Sequence, residues 1–169
     1  MRLYSARIPK LAKEMVAPLI KDGDIEAESP SEVEADIVAV LNQYMRDEQA
    51  ASDRAKELVA QRNLPPTEFG RIKKLVADEK KIKIGEDAID YLLDQLVEML
   101  FHSTNVSEVF VEDYVLRRKM REPLRRMSAE EDELQAEVRS QVKHVKEGSS
   151  VWEVEYRRMM EDIKRRKGL

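Results

Sequence analysis

The chain has 169 residues, no cysteine, 38% charged side chains and only 5% aromatic ones. Its formal net charge of −4 argues against a dedicated nucleic-acid or anionic-membrane binder, and the missing cysteines exclude disulfides, thiolate catalysis and cysteine-based zinc sites. No apolar run approaches the roughly 18 residues a membrane helix needs, and Met1 to Ser5 lacks a signal-peptide core. The expectation is a soluble, bacterial-type cytoplasmic protein.

The first predicted helix runs from about Ser5 to Lys21, with Ser5 as N-cap. Ile8, Leu11, Ala12, Met15, Val16, Leu19 and Ile20 form its broad apolar face, and Asp22-Gly23-Asp24 stops it. A short extended piece, Ile25 to Glu28, follows. Ser29, Pro30 and Glu32 then predict a capping box. Val33, Ile37, Val40, Leu41, Tyr44 and Met45 make the next stripe. No glycine or proline separates that helix from residues 47–63, so the two segments are candidates for one long helix. Asn63-Leu64-Pro65-Pro66 breaks the chain, because consecutive prolines remove backbone donors and disfavour helix before them. A fourth segment spans about Pro66 to Lys80.

The second half opens at Ile84-Gly85-Glu86. Ten of the fourteen residues 88–101 are apolar, which predicts the most buried helix of the molecule over 87–102. A short strand is expected near Val109-Phe110-Val111. Pro123 predicts a kink or restart in the segment 111–126, and Ser128 with Glu131 a fresh N-cap for 128–147. Gly148-Ser149-Ser150 makes a turn, and Ser150 with Glu153 caps a last helix ending near Lys167-Gly168.

The two halves share a pattern. With a shift of 81 positions, Leu3, Ile8, Leu11, Ala12 and Met15 fall on Ile84, Ile89, Leu92, Leu93 and Leu96, and Val16, Leu19 and Ile20 fall on Val97, Leu100 and Phe101. The expected fold is therefore all-α, with at most short β pieces. It is a duplicated four-segment helical unit, residues 1–82 and 83–169, whose leading helices pack on each other in a shared core. Leu134, Val138, Val142 and Val145 face Trp152, Tyr156, Met159 and Ile163 as two narrow seams, which predicts a projecting antiparallel helical hairpin over 128–167. That hairpin would bring Glu130 to Glu133 beside Lys164 to Lys167, with Arg165 and Arg166 reaching Glu130, Glu131 or Glu133.

Several stretches carry a family resemblance. They are Leu3-Tyr4-Ser5, Val16 to Glu26 with its Asp22-Gly23-Asp24-Ile25-Glu26 ending, and Ala88-Ile89-Asp90-Tyr91-Leu92. Val109-Phe110, Leu116-Arg117-Arg118-Lys119-Met120 and Trp152-Glu153-Val154-Glu155-Tyr156 complete the set. Together they resemble the bacterial domain-of-unknown-function family numbered 507, over essentially the whole chain. The resemblance implies a helical bacterial protein and supplies no reaction, cofactor or site.

The residues themselves offer few sites. Asp90, Asp94, Glu98 and His102 share a helix face at four-residue spacing, whereas carboxylate-bridged bundles need Glu and His three apart. That spacing favours a solvated acidic stripe over a metal site or a hydrolase built on Asp94, Glu98 and His102. Asp22-x-Asp24-x-Glu26 starts like a calcium loop, but Ala27 and Val33 stand where glycine and glutamate are required. His144, between Lys143 and Lys146, reads as a surface histidine. The chemistry-bearing motifs of nucleotide-binding and hydrolytic folds are missing, and no catalytic residue, cofactor or metal is expected. Trp152, Tyr156, Met159 and Met160 are the candidate partner-binding residues, because smaller side chains opposite cannot cover them all. Met160 and one edge of Trp152 are expected to remain exposed. The function expected is a non-enzymatic protein-interaction or scaffolding module that binds an unknown protein partner or a second copy. The alternative is a nucleic-acid or ribonucleoprotein accessory working through Lys164-Arg165-Arg166-Lys167. Nucleic acid is the less favoured partner, and no membrane is expected.

Overall fold

A computed structural model describes residues 3–145 and 149–168. Helices and two very short strands follow in the order α1 (Ile8–Lys21), β1 (Ile25–Glu26), α2 (Pro30–Gln61), α3 (Phe69–Glu79), α4 (Ala88–His102), β2 (Glu108–Val109), α5 (Asp113–Gln141) and α6 (Ser150–Lys167). The fold is all-α apart from the antiparallel pair β1–β2, in which Ile25 faces Val109 and Glu26 faces Glu108. Among the described residues no helix is long and apolar enough to cross a membrane.

The helix ends follow from local chemistry. At the end of α1, the Asp24 amide donates to Leu19 O and the Gly23 amide to Ile20 O, at 2.9 and 3.1 Å. This reversal needs a left-handed residue, and Gly23, at φ +72°, adopts it without a Cβ clash. The same pair of bonds ends α2 at Asn63 and α3 at Lys81, both at positive φ. Helix starts depart from expectation. Ser5 makes no capping bond and opens a 3-10 turn, so α1 begins at Ile8. Ser29 directs its hydroxyl at Ser31 (3.0 Å) rather than at the Glu32 amide, and Pro30 alone marks the start of α2. The cap of α6 is Ser149, one residue earlier than expected, whose Oγ accepts from the Trp152 amide at 3.1 Å.

The two segments without a breaker are indeed one helix. At 1.5 Å per residue, α2 extends about 48 Å, and its two halves serve different neighbours. Val33, Ile37, Leu41 and Tyr44 enter the main core, whereas Ala51 and Ala55 belong to a second apolar cluster with Ile72, Val76, Ala77 and Ile82. The small alanines let α3 lie close along α2.

The break expected between 126 and 128 does not exist. α5 continues from Asp113 to Gln141 with Pro123 inside it. An internal proline costs about 3 kcal/mol or more when packing does not compensate. Here Leu116, Met120, Pro123, Leu124 and Met127 are all buried on one stripe, so packing outweighs the lost hydrogen bond. Ser128 is consequently mid-helix. Glu131, expected near a helix start, is 3% exposed and accepts from Gln135 Nε2 at 2.8 Å.

The main core draws on both halves of the chain. Five of the buried residues of α1 fall, shifted by 81, on buried residues of α4: Leu11, Ala12, Met15, Val16 and Leu19 on Leu92, Leu93, Leu96, Val97 and Leu100. The leading helices nevertheless do not pack face to face. α1 lies along α2 and α5, and α4 lies along α5 and α2, so the expected α1–α4 contact is replaced by crossed partnerships. α2 and α5 each pack against both, so α1 and α4 stand at opposite corners of a four-helix arrangement.

Charges follow the same plan. Toward α1, Arg126 reaches Glu14 (3.7 Å), Glu130 reaches Arg7, and Lys119 reaches Asp22 (2.7 Å). Toward α4, Arg121 reaches Asp90 (2.5 Å) and Arg117 reaches Asp94. Both sets read antiparallel along α5.

The terminal hairpin is laid against the body and does not project. Leu134, Val138, Met160 and Ile163 belong to the main core, and Lys164 Nζ sits 4.6 Å from the centre of the Tyr4 ring. The expected pairing of acidic and basic clusters is also different. Glu130 pairs with Arg7, Lys167 with Glu137 at 2.9 Å, and Arg165 with Asp162 in its own helix. Lys167, at the end of α6, thus meets Glu137 rather than the acidic run, and the turn expected at Gly148 lies outside the described residues.

Candidate binding cleft

The first turns of α6 face the second half of α2 across an open cleft. The deeper part, about 530 Å³, is lined by Leu3, Tyr4, Met45, Trp152, Tyr156 and Met160, with Glu48, Lys73 and Lys164 among its polar residues. A neighbouring, more apolar part of about 850 Å³ is formed by Val59, Ala60, Leu64, Pro66, Phe69 and Trp152. Trp152, Lys56 and Glu153 belong to both, so the two depressions are continuous.

The four candidate residues have different environments. Trp152 is half-buried and stacks on Tyr156, ring centres 4.8 Å apart with planes 29° from parallel. Met160 is only 6% exposed, which corrects the expectation that it stays open, because Leu3, Tyr4 and Met45 supply the cover the valines of α5 lack. Met159 packs half-buried on the main core and does not line the cleft. Leu64 and Phe69, which close the opposite side, escaped sequence reasoning. Their signal lay in the break itself, where the Leu64–Phe69 run places two large apolar residues beside Pro65 and Pro66.

The wall of the cleft is tied together by polar bonds. Lys73 Nζ pairs with Glu48 at 3.0 Å, both side chains largely covered. Tyr44 donates to the Lys83 carbonyl at 3.1 Å and lies 6.1 Å from Tyr91, joining α2 to the connection before α4. Burial, and then the nearby Glu48 carboxylate, push the Tyr44 phenol far above its ordinary range, so it remains a donor at any ordinary pH.

The remaining polar candidates are engaged elsewhere. All four residues of the acidic stripe are exposed, as expected; Asp90 and Asp94 also reach arginines of α5, and His102 Nδ1 lies 2.8 Å from the Glu98 carbonyl of its own helix. Among the described residues no group of three or more His, Asp or Glu side chains is arranged to hold a metal. His144 is exposed.

Asp22 and Asp24 together hold Lys119. The hydrogen bond from Lys119, and then its charge, lower the Asp22 pKa, while the bonds to Asp22 and Asp24 raise that of Lys119. A carboxylate with a depressed folded-state pKa stabilises above its unfolded value and loses that contribution in acid. An ammonium with a raised pKa stabilises below its unfolded value and loses its contribution in alkali. The clamp is therefore expected to act fully between about pH 4 and pH 10. Urea melts of wild type and Lys119→Met across pH should differ most in that window and converge below it. A difference that persists unchanged at pH 2 would remove the clamp from the account.

These features define an all-α protein with one short strand pair, in which α2 and α5 each pack against both α1 and α4 and an open cleft lies between α2 and α6. The chain belongs to the family described as Protein of unknown function (DUF507), whose model matches residues 1–169. No curated protein matches the chain.

Proposed function

We propose that the protein is a non-enzymatic, cytoplasmic interaction module, and that the cleft between α2 and α6 takes an apolar helical segment of a partner protein. The observation that carries this reading is Trp152, half-exposed and stacked on Tyr156 where the two depressions meet. Tryptophan, tyrosine and methionine are enriched in interface cores, and a groove with large apolar walls suits a helix that presents residues at i, i+3 and i+7. The reading includes an origin of the chain by duplication of one bacterial unit. The recurring order of 3-10 turn, helix, strand and two helices supports it. The nucleic-acid alternative loses support from the basic end, where Lys164 covers Tyr4, Arg165 pairs with Asp162 and Lys167 pairs with Glu137.

Trp152 is the sole tryptophan, so its emission reports directly on the cleft. Affinity purification from the native cell, with and without nuclease, is expected to retain a protein partner in both samples. Phe69→Ser/Trp152→Ala should release it while keeping its helical circular dichroism, and purified partner should shift the wild-type emission to the blue. Retention by the variant, or loss of everything on nuclease treatment, would overturn the reading.

A further inference from the structure

The end of the molecule away from the cleft carries a second exposed face. Phe101, Phe110 and Tyr114 are 50%, 61% and 63% exposed. They come from three elements: the last turn of α4, the residue after β2 and the first turn of α5. The ion pairs Asp90–Arg121 and Asp94–Arg117 set an antiparallel register between α4 and α5. Phe110 follows Glu108 by two residues and its amide still bonds the Asp24 carbonyl at 2.9 Å, so it stands on the same side of the strand pair as Glu108, and Tyr114 follows in the first turn of α5. Phe110 and Tyr114 are thus exposed rings on the chain that leads from the strand pair into α5.

Carboxylates dominate the charge around these rings. Residues 22–36 hold seven carboxylates and no lysine or arginine, and residues 98–113 hold four and again none. The β1–β2 pair joins the two stretches. Lys119 is held by Asp22 and Asp24 and Arg117 by Asp94 and Asp113, while Lys21 stands beside Asp22 and the exposed Arg118 lies one turn from Tyr114 on α5. Glu26 and Glu108 stand directly opposite each other on the strand pair, and among the described residues neither has an ion pair. Like charges directly opposed across strands are destabilising. The fold therefore keeps two exposed like charges side by side next to these rings.

The geometry points to a docking face for an arginine-rich segment of a partner protein. A guanidinium between Glu26 and Glu108 relieves their repulsion with a planar, multi-donor group, and further arginines stack on Phe110 and Tyr114. Lysine meets the charge but stacks and forks less well, so the face distinguishes arginine from lysine. The site shares no residue with the cleft, and a chain with both bridges two partners.

Fluorescence anisotropy of labelled peptides on the full chain tests this. The probes are a nine-residue peptide of alternating arginine and leucine, its lysine counterpart and its glutamate counterpart. The arginine peptide is expected to bind at least fivefold more tightly than the lysine peptide, and the glutamate peptide not at all. Phe110→Ala/Tyr114→Ala should weaken the arginine peptide tenfold or more. Glu26→Gln/Glu108→Gln should weaken it similarly while raising the melting temperature, a combination that a merely structural role for the pair does not produce. Glu79→Gln/Glu86→Gln, a charge-matched control on exposed residues elsewhere, should leave binding within twofold. Equal losses in the control, equal affinity for lysine, no binding by wild type, or self-association that disappears in Phe110→Ala/Tyr114→Ala would each overturn the assignment. Trp152 emission, which reports the other site, should not respond to the peptide.

Discussion

Leu96→Ala is expected to lower stability by about 2–5 kcal/mol, the range for emptying a buried leucine position. Leu96 is fully buried on α4, in the core cluster that also holds residues of α1, α2 and α5. Close-packed neighbours on several helices relax little into a cavity, because each is held by other contacts. For a chain of this size the loss corresponds to about 4–20 °C in melting temperature. Thermal and urea denaturation of the pure variant would measure it. A drop under 1 kcal/mol would mean that α4 is not the buried centre that its apolar girth and its position here imply.

A second large effect is expected at Ile72→Ala, with a different spatial reach. Ile72 is 4% exposed in the smaller cluster with Ala51, Ala55, Val76, Ala77 and Ile82. Three of the six members are alanines, so one isoleucine supplies much of the apolar surface that holds α3 down. Truncation should cost about 2–5 kcal/mol locally. Because this cluster is separate from the main core, α3 and the second half of α2 should open without the rest. Hydrogen exchange read by mass spectrometry should quicken over residues 50–80 and stay unchanged in α1 and α4. Uniform acceleration through every helix would show that the two clusters unfold as one. Partner binding at the cleft should fall as well, since Leu64 and Phe69 form its outer wall.

Much of the architecture was legible in the apolar periodicity. The stripes on α1, α4 and the first half of α2 name their buried residues almost individually, and the absence of a breaker between 46 and 47 correctly left one helix open. Local signals were less dependable where packing competed with them. Pro123 and Ser128 both argue for a break, yet the stripe from Leu116 through Leu134 holds α5 together across them. Ser5 and Ser29 have the residue type for caps but not the side-chain bonds. The crossed helix partnerships were not legible at all. Equivalent apolar faces show that two helices are both buried, without saying against what. The alternate direction of Arg117, Lys119, Arg121 and Arg126, toward α4 or α1, depends on α5 being shared. For the cleft, Trp152 and Tyr156 stood out as large side chains facing small ones. Met160 did not remain open, because the N-terminal Leu3 and Tyr4 return to cover it from far away in sequence.

The crossed partnerships also set the order of events during synthesis. Ile25 pairs with Val109, 84 residues later, and the side of α1 at Leu11 faces Pro123 and Met127 of α5. At about 5–20 residues per second, a ribosome needs roughly 5–20 s to pass from the end of α1 to the part of α5 that covers it. For that time α1 has only α2 to lean on, and the apolar flank awaiting α5 stays in water. The emerging first half is thus a natural client for a holding chaperone. A transcript truncated near residue 82 would yield an insoluble fragment, not half of a working protein.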